Sequence, residues 1–532
     1  MEFDYIVVGA GTGGPVVTRR LVDAGYSVLL LEAGGSDAHP YIQIPAGFAL
    51  LLKSGIANWG YKAKANPDLF GREMTVPRGK VLGGSGSING IMQSWGLPID
   101  FERWSSTGVK GWSFEEVRPY FMKSEAYAGG NASTRGHNGP ITISDFSEIP
   151  PITTDLLSAA SELGLPVLSD YNSEFGEGFC RVQQARKGRL RVSAYRAYVA
   201  PILSSPRLTL KTEAHVTSIL LEGNRAVGVQ FRRKGGHAET ARARREVILC
   251  AGAINTPHLL NISGVGDAED LRAAGIGLQH HLPGVGKNLQ DHFLVRTVAR
   301  VTGRRTLNER AQGLPLVKEV ARYLLHGDGV LTYSFACATG YVKSRPDLPH
   351  PDLQLSLVPG SFPASGGYLL EKEPGITLGL WHMRPDSRGT VRTLSSDPYA
   401  APEISLGYLQ TEGDQQAAVA AVRWGRRILA TNAFKGCIGP ETAPGKAVTT
   451  DEELLDYARR TGGTTFHPVG TCRMGLDDMS VVDDQLRVRG LQGLRIADAS
   501  IMPYVTSSNT HAPTVMIGEK AADMILQAAK AQ

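Results

Sequence analysis

Cysteine is scarce and odd in number: five in 532 residues, at Cys180, Cys250, Cys337, Cys437 and Cys472, with no C-x-x-C pair. This scatter fits neither a disulfide framework nor a zinc site, and it points to a reducing compartment. An excess of one charge is also missing, since 56 basic and 51 acidic side chains leave a net +5. The one basic cluster, Arg232 to Arg245, flanks Gly235-Gly236 and reads as the solvated face of a hairpin, not a nucleic-acid footprint. No window offers about 18 uninterrupted apolar residues, so no transmembrane segment is expected. A strand-like run begins at Phe3, leaving no room for a basic region and an apolar signal core ahead of it, and a cytoplasmic protein is expected. No repeat of about 20 to 50 residues, no Pro/Ser-rich linker and no G-x-S-x-G elbow occurs, which excludes solenoids, loosely tethered modules and the usual serine hydrolase.

What is present is an enzyme-sized chain with 42% hydrophobic residues and many tight turns, its 62 glycines and 30 prolines lacking any triplet period. Phe3-Asp4-Tyr5-Ile6-Val7-Val8 is a strand-like run, followed at once by Gly9-Ala10-Gly11-Thr12-Gly13-Gly14 and a helix-like segment from Val16 to Ala24. A second apolar run, Val28 to Leu31, ends in Glu32. This is the order of a dinucleotide-binding βαβ unit. Gly9 makes the tight turn, Gly11 lets backbone approach a pyrophosphate, Gly14 lets helix and strand pack closely, and the helix N-terminus favours anionic phosphate. Glu32 is placed to accept hydrogen bonds from an adenosine ribose and to repel a 2′-phosphate, which disfavours NADP. The fingerprint alone does not separate NAD from FAD.

Further segments carry a family resemblance. Pro77-Arg78-Gly79-Lys80-Val81-Leu82-Gly83-Gly84-Ser85-Gly86-Ser87-Ile88-Asn89-Gly90 and Gly252-Ala253-Ile254-Asn255-Thr256-Pro257 resemble the two signatures of the glucose-methanol-choline (GMC) family of FAD-dependent oxidoreductases. Pro283 to His292, Arg384 to Gly389, His467-Pro468-Val469-Gly470-Thr471-Cys472 and Ala497 to Pro503 are similar to further stretches of it. The resemblance implies an α/β FAD-binding domain of Rossmann-like, glutathione-reductase type, and an α+β substrate domain whose antiparallel sheet faces the flavin. Residues 1–150, 200–295 and 460–532 are assigned to the first, and 151–199 and 296–459 to the second. It implies FAD contacts from Gly9, Gly11, Thr12, Gly14, Glu32, Ala33, Trp59, Val81, Gly84, Ser87, Asn89, Gly90, Val216, Phe466, Asp498, Ala499, His511, Ala512 and Pro513. Two departures stand out: Gln93 occupies a place where the family often has an aromatic residue, and Ile88 stands where some members carry a flavin-linked histidine. Ile88 has no nucleophile, so noncovalent FAD is expected.

Of thirteen histidines, His467 and His511 fall in the two segments that match the family's catalytic pair. The resemblance implies that His467 accepts the hydroxyl proton of an alcohol while His511 orients that hydroxyl; the two roles are interchangeable at this level. A neutral imidazole suits the first task near pH 7. His292 is read as a packing residue, and the other histidines as core or loop residues, with His382 at a pocket or sheet position. Tyr333, Phe335, Trp381, Phe466 and Tyr504 are candidate apolar walls. The expected reaction is oxidation of a small-molecule primary alcohol to the aldehyde, with electrons passed to O₂ or a quinone-type acceptor. The rival readings are a lyase on the same scaffold, of hydroxynitrile lyase or photodecarboxylase type, an NAD-dependent Rossmann enzyme, and a binding module without catalysis.

Overall fold

A computed structural model describes residues 1–363, 367 and 369–531. The expected βαβ unit is formed by the strand Glu2–Val8, the helix Gly13–Asp23 and the strand Val28–Leu31. Every residue of Val28–Leu31 is buried, as in a parallel strand covered on both faces. Leu208–Lys211, Val28–Leu31, Glu2–Val8 and Ala238–Leu249 lie side by side in parallel, and Leu494–Ile496 adds a further parallel strand beside Val247–Leu249. Arg225–Arg233 and Ala214–Glu222 extend this seven-stranded sheet as an antiparallel meander. The basic cluster forms the turn of the Arg225–Arg233 and Ala238–Leu249 hairpin, with Gly235 at φ +72°.

The second sheet is antiparallel throughout its order Ile438–Ala443, Phe293–Val301, Gly375–His382, Leu353–Val358, Ala338–Val342, Gly178–Arg181. Its core is apolar, built on Leu353, Leu355, Leu357, Ile376, Leu378 and Leu380, all fully buried. Residues 61–76, which the sequence division places in the nucleotide-binding unit, pair instead with Glu403–Ser405 and bury Tyr61, Ala63, Leu69 and Val76 in this second core.

Within the last helix, His511–Lys530, the run Glu519 to Ile525 reads from sequence as a terminal amphipathic helix. The helix is buried on nearly every side, against Gly13–Asp23 and Phe114–Ser124. Its Glu519 carboxylate, fully inside, accepts hydrogen bonds from the Arg20 guanidinium at 2.6 and 2.8 Å and the Tyr198 hydroxyl at 2.8 Å. A buried charge persists only with such partners.

Candidate active site

One cavity of about 600 Å³ runs between the two sheets, and it is lined by both the glycine turn and the C-terminal histidines. Different physical demands fix the glycines. A Cβ on Gly14 would lie 1.9 Å from the Gly9 carbonyl oxygen, and one on Gly13 2.0 Å from that of Ala497, so these positions hold helix against sheet. At Gly11 the closest protein atom to such a Cβ is 3.8 Å away. The space before Gly11 is open cavity, so the bare backbone there serves an occupant and not the protein's own packing.

Glu32 points both carboxylate oxygens at backbone donors, the N–H groups of Ala10 at 2.9 Å and Gly34 at 2.8 Å. Burial nevertheless pushes its pKa up to about 7. Each oxygen keeps a lone pair for a ribose hydroxyl, which would offset that desolvation. Ala33, Trp59 and Val216 line the same end, where Trp59 stacks on Tyr61 with centroids 5.8 Å apart. Gly9, Thr12, Gly84, Asn89, Gly90, Phe466, Asp498 and Ala499 also line the cavity. A glycine cradle open to the cavity, a helix N-terminus and a buried acid together fit a dinucleotide such as FAD.

Five expected contacts do not reach the cavity wall, Gly14 among them because it packs on the Gly9 carbonyl. The Ser87 hydroxyl turns inward and donates to the Leu82 carbonyl at 2.7 Å. Val81 packs with Ile42, Leu51 and Ile88. Ala512 joins the main core, and Pro513 is buried in the first turn of the last helix. Among the proposed apolar walls, Phe335, Trp381 and Phe466 line the cavity. Tyr333 instead packs on Phe146 and Tyr504 lies under the Arg103 guanidinium. Gln93 is buried, with its backbone carbonyl accepting from Tyr171 and Asn172. His215 and His258, taken as ordinary core residues, do line the cavity, whereas His382 pairs with Asp414 at 2.9 Å.

Strand pairing assembles the histidine end. Phe293 pairs with Thr464 and Gln290 with Val469, so the chain from 290 to 294 runs antiparallel to that from 463 to 469. Asp291 clamps the two segments: its carboxylate accepts from the His467 N–H at 2.7 Å, the His292 N–H at 2.9 Å and the Tyr408 and Thr464 hydroxyls at 2.5 Å. Phe466, directly before His467, sits at φ +68°, a left-handed conformation costly for a residue with a Cβ. The Arg78 guanidinium holds its carbonyl at 2.6 Å.

The hydrogen bonds then fix a tautomer. His292 Nε2 lies 2.9 Å from the Met383 carbonyl, which only accepts, so Nε2 carries the proton and Nδ1 of the neutral ring is an acceptor. Facing it at 3.0 Å, His467 Nδ1 must donate, with the Thr465 hydroxyl also 2.9 Å from that nitrogen. His467 Nε2 is therefore an unprotonated lone pair, and it receives the Asn509 amide N–H at 3.0 Å. Burial, aided by the neighbouring His292 ring and the Arg78 guanidinium, holds His467 well below the usual imidazole range. Burial takes His292 down to about 3.

His511 opens the last helix, and its Nε2 is buried with no hydrogen-bond partner while lining the cavity. Burial, and secondarily Arg191, pull its pKa down to about 4. A buried nitrogen without a partner is costly unless a ligand completes it. Both sequence-nominated histidines thus meet at one cavity, joined by two residues that sequence reasoning did not nominate, His292 and Asn509. Asn509 stands two places before His511 in the same motif, which was the available signal; the His292 contact spans 175 residues and leaves no local trace.

Comparisons with known proteins identify the family. Family profiles of GMC oxidoreductase match residues 3–294 and 385–518. The chain is 38% identical over 531 residues to an oxygen-dependent choline dehydrogenase of Brucella ovis, covering 99% of this chain and 96% of that one. Pyridoxine 4-oxidase from Mesorbium loti superposes with a TM-score of 0.88 at 29% identity, covering 98% of each chain. A fungal aryl-alcohol oxidase superposes with a TM-score of 0.86 at 25% identity, covering 99% of each.

Proposed function

Because the chain belongs to the GMC oxidoreductase family, a family of FAD enzymes, we propose that it oxidises a small primary alcohol to the aldehyde with His467 as proton acceptor. One observation carries this reading: His467 Nε2 is held as an unprotonated acceptor, met by the Asn509 amide, in the same cavity as the partnerless His511 Nε2.

Gly9, Gly11, Thr12, Glu32, Trp59, Val216 and Asp498, which line the cavity, would hold FAD along it. When bound, it supplies the acceptor for the hydride that leaves the alcohol carbon. The protein's own task is the proton. The substrate hydroxyl takes the place of the Asn509 amide at His467 Nε2, and His511 fixes its second direction. His467 Nε2 removes the hydroxyl proton, which makes hydride departure favourable. The resulting cation keeps its Nδ1–H bond to His292, now charge-assisted. Phe335, Trp381, Ile91 and Met92 give this end an apolar lining that excludes water and suits an apolar alcohol. Ile88 also lines the cavity and offers only hydrocarbon, which supports noncovalent FAD. The five cysteines, all free and buried, support a cytoplasmic location.

The test is anaerobic mixing of purified protein with a panel of alcohols while flavin absorbance is followed. The parental flavin bleaches, and His467→Ala slows bleaching about 100- to 10,000-fold. An unchanged rate in His467→Ala removes the base assignment, and a flavin that no alcohol bleaches favours a lyase. Rapid reoxidation in air identifies O₂ as acceptor, and persistence of the reduced form until a quinone is added identifies a quinone.

A further inference from the structure

The helix Gly313–His326 turns its apolar face outward. Leu314 and Leu325 are each 78% exposed, and Val317, Val320 and Leu324 are exposed beside them. Among the described residues no other helix exposes more than one large apolar side chain. At about 100° per residue these five fall on one side of the helix, with Tyr323 alone buried opposite. Apolar side chains normally face the core, so a stripe facing outward indicates a partner that covers it.

Charge identifies the partner. Lys318 borders the stripe, and Lys187, Arg189 and His326 lie exposed near its C-terminal end, where the Arg189 guanidinium donates to the Leu324 carbonyl at 2.9 Å. On the Lys318 flank opens a second cavity of about 620 Å³, whose wall includes Arg304, Arg305, Arg310 and Arg322. The neighbouring acids are already committed: Glu148 to Arg310 and Arg322, Glu319 to Arg310, Asp328 to Arg322, and Asp155 to Arg304. Among the described residues, no acid pairs with Arg305 or Lys318.

We propose that Gly313–His326 docks the protein onto an anionic lipid bilayer, its leucines and valines entering the acyl boundary and Lys318 and Arg305 meeting lipid phosphates. An amphipathic helix with cationic flanks lies in the plane of such an interface, and apolar insertion with electrostatic attraction supplies the two signals that stable peripheral binding needs. A second copy of the chain is a poorer occupant. Two-fold pairing about the middle of the helix would set Lys318 against its own copy, and the stripe holds no acid to pair with either. The helix packs against Val330–Thr332, which stands three residues before Phe335 of the cavity wall.

The experiment is co-sedimentation of purified, FAD-loaded protein with vesicles of phosphatidylcholine alone and of phosphatidylcholine with phosphatidylglycerol in equal parts. The parental protein is expected to pellet with the second kind, and to be released by salt. The double variant Leu314→Asp, Leu325→Asp is expected to bind at least about tenfold more weakly, with unchanged flavin spectrum and alcohol-oxidising rate. Arg305→Ser with Lys318→Ser is expected to lose the preference for the anionic lipid. Failure of the parental protein to pellet overturns the proposal, as does equal pelleting of the leucine variant. A parental dimer that the leucine variant dissociates also overturns it, and assigns the face to self-association. Because these residues lie outside the catalytic cavity, loss of vesicle binding with intact turnover is distinct from failure of the alcohol-oxidation reading.

Discussion

The Nδ1 atoms of His292 and His467 face each other at 3.0 Å, and only one of them carries a proton. The Met383 carbonyl decides which, because it takes the single proton of His292 at the far side of that ring. A backbone oxygen thereby sets the protonation of a base two rings away.

This chain of donors makes His292 a positioning residue. In His292→Ala the His467 Nδ1–H loses its ring acceptor and keeps only the Thr465 hydroxyl, at a cost of about 0.5–1.5 kcal/mol, or about 2- to 13-fold in rate. Stopped-flow flavin reduction is expected to slow by that factor while FAD content stays parental. His292→Gln, which offers both an acceptor and a donor, is expected to recover part of the rate. Parental speed in the alanine variant would show that His467 keeps its tautomer unaided.

Asn509 supplies a test of charge at the same lone pair. The depressed pKa of His467 keeps the ring neutral above its ordinary value of about 6.5, so the parental rate of flavin reduction should be flat from there upward. It should fall only as the pH drops through the lowered folded value. Asn509→Asp sets a carboxylate against Nε2, favours the cation, and should move that acid limb alkaline by one unit or more. Coincident pH profiles would refute the contact.

The two glycines of the fingerprint should separate stability from binding. Gly14→Ala forces a Cβ against the Gly9 carbonyl oxygen and should lower apoprotein stability by a few kcal/mol. Gly11→Ala meets nothing nearer than 3.8 Å, so its apoprotein should melt like the parent while FAD affinity drops. Calorimetry of apoprotein and titration with FAD measure both, and equal melting losses would contradict the assignment.

Glu32 predicts a pH effect in the ligand-free protein. Its folded pKa, about 7, lies above the ordinary carboxyl value. Its stabilising contribution is therefore present at acid pH and lost as the pH rises through about 7. Relative to Glu32→Gln, which cannot titrate, parental apoprotein should weaken by up to about 3 kcal/mol between pH 5 and 8. Saturating FAD should shrink that difference, and denaturant melts at both pH values provide the check.

Local signals were the legible ones. Val28 to Leu31 reads as a buried strand because burial on both faces demands an unbroken apolar run, and Gly9, Gly11 and Glu32 are recognisable because each has a distinct steric or polar task. His467 and His511 emerge from motif resemblance, and the cavity does join them. The His292 contact was illegible because it depends on the antiparallel register of 290–294 with 463–469, a property of paired strands. Ser87 and Val81 belong to a cofactor motif, yet a hydrogen bond to Leu82 and packing against Ile42 turn their side chains away. The outward stripe of Gly313–His326 has the same periodicity as a stripe facing inward, and only the surrounding fold sets its direction.

The strand Leu494–Ile496 has a consequence for biosynthesis. Its neighbour Val247–Leu249 leaves the ribosome with one edge unpaired, and the segment that covers it follows some 245 residues later. At about 5 to 20 residues per second the nascent protein spends on the order of 12 to 50 seconds with that adhesive border exposed. Completion of this sheet is thus deferred to the end of translation, and a chain released early would keep that border open and prone to clumping.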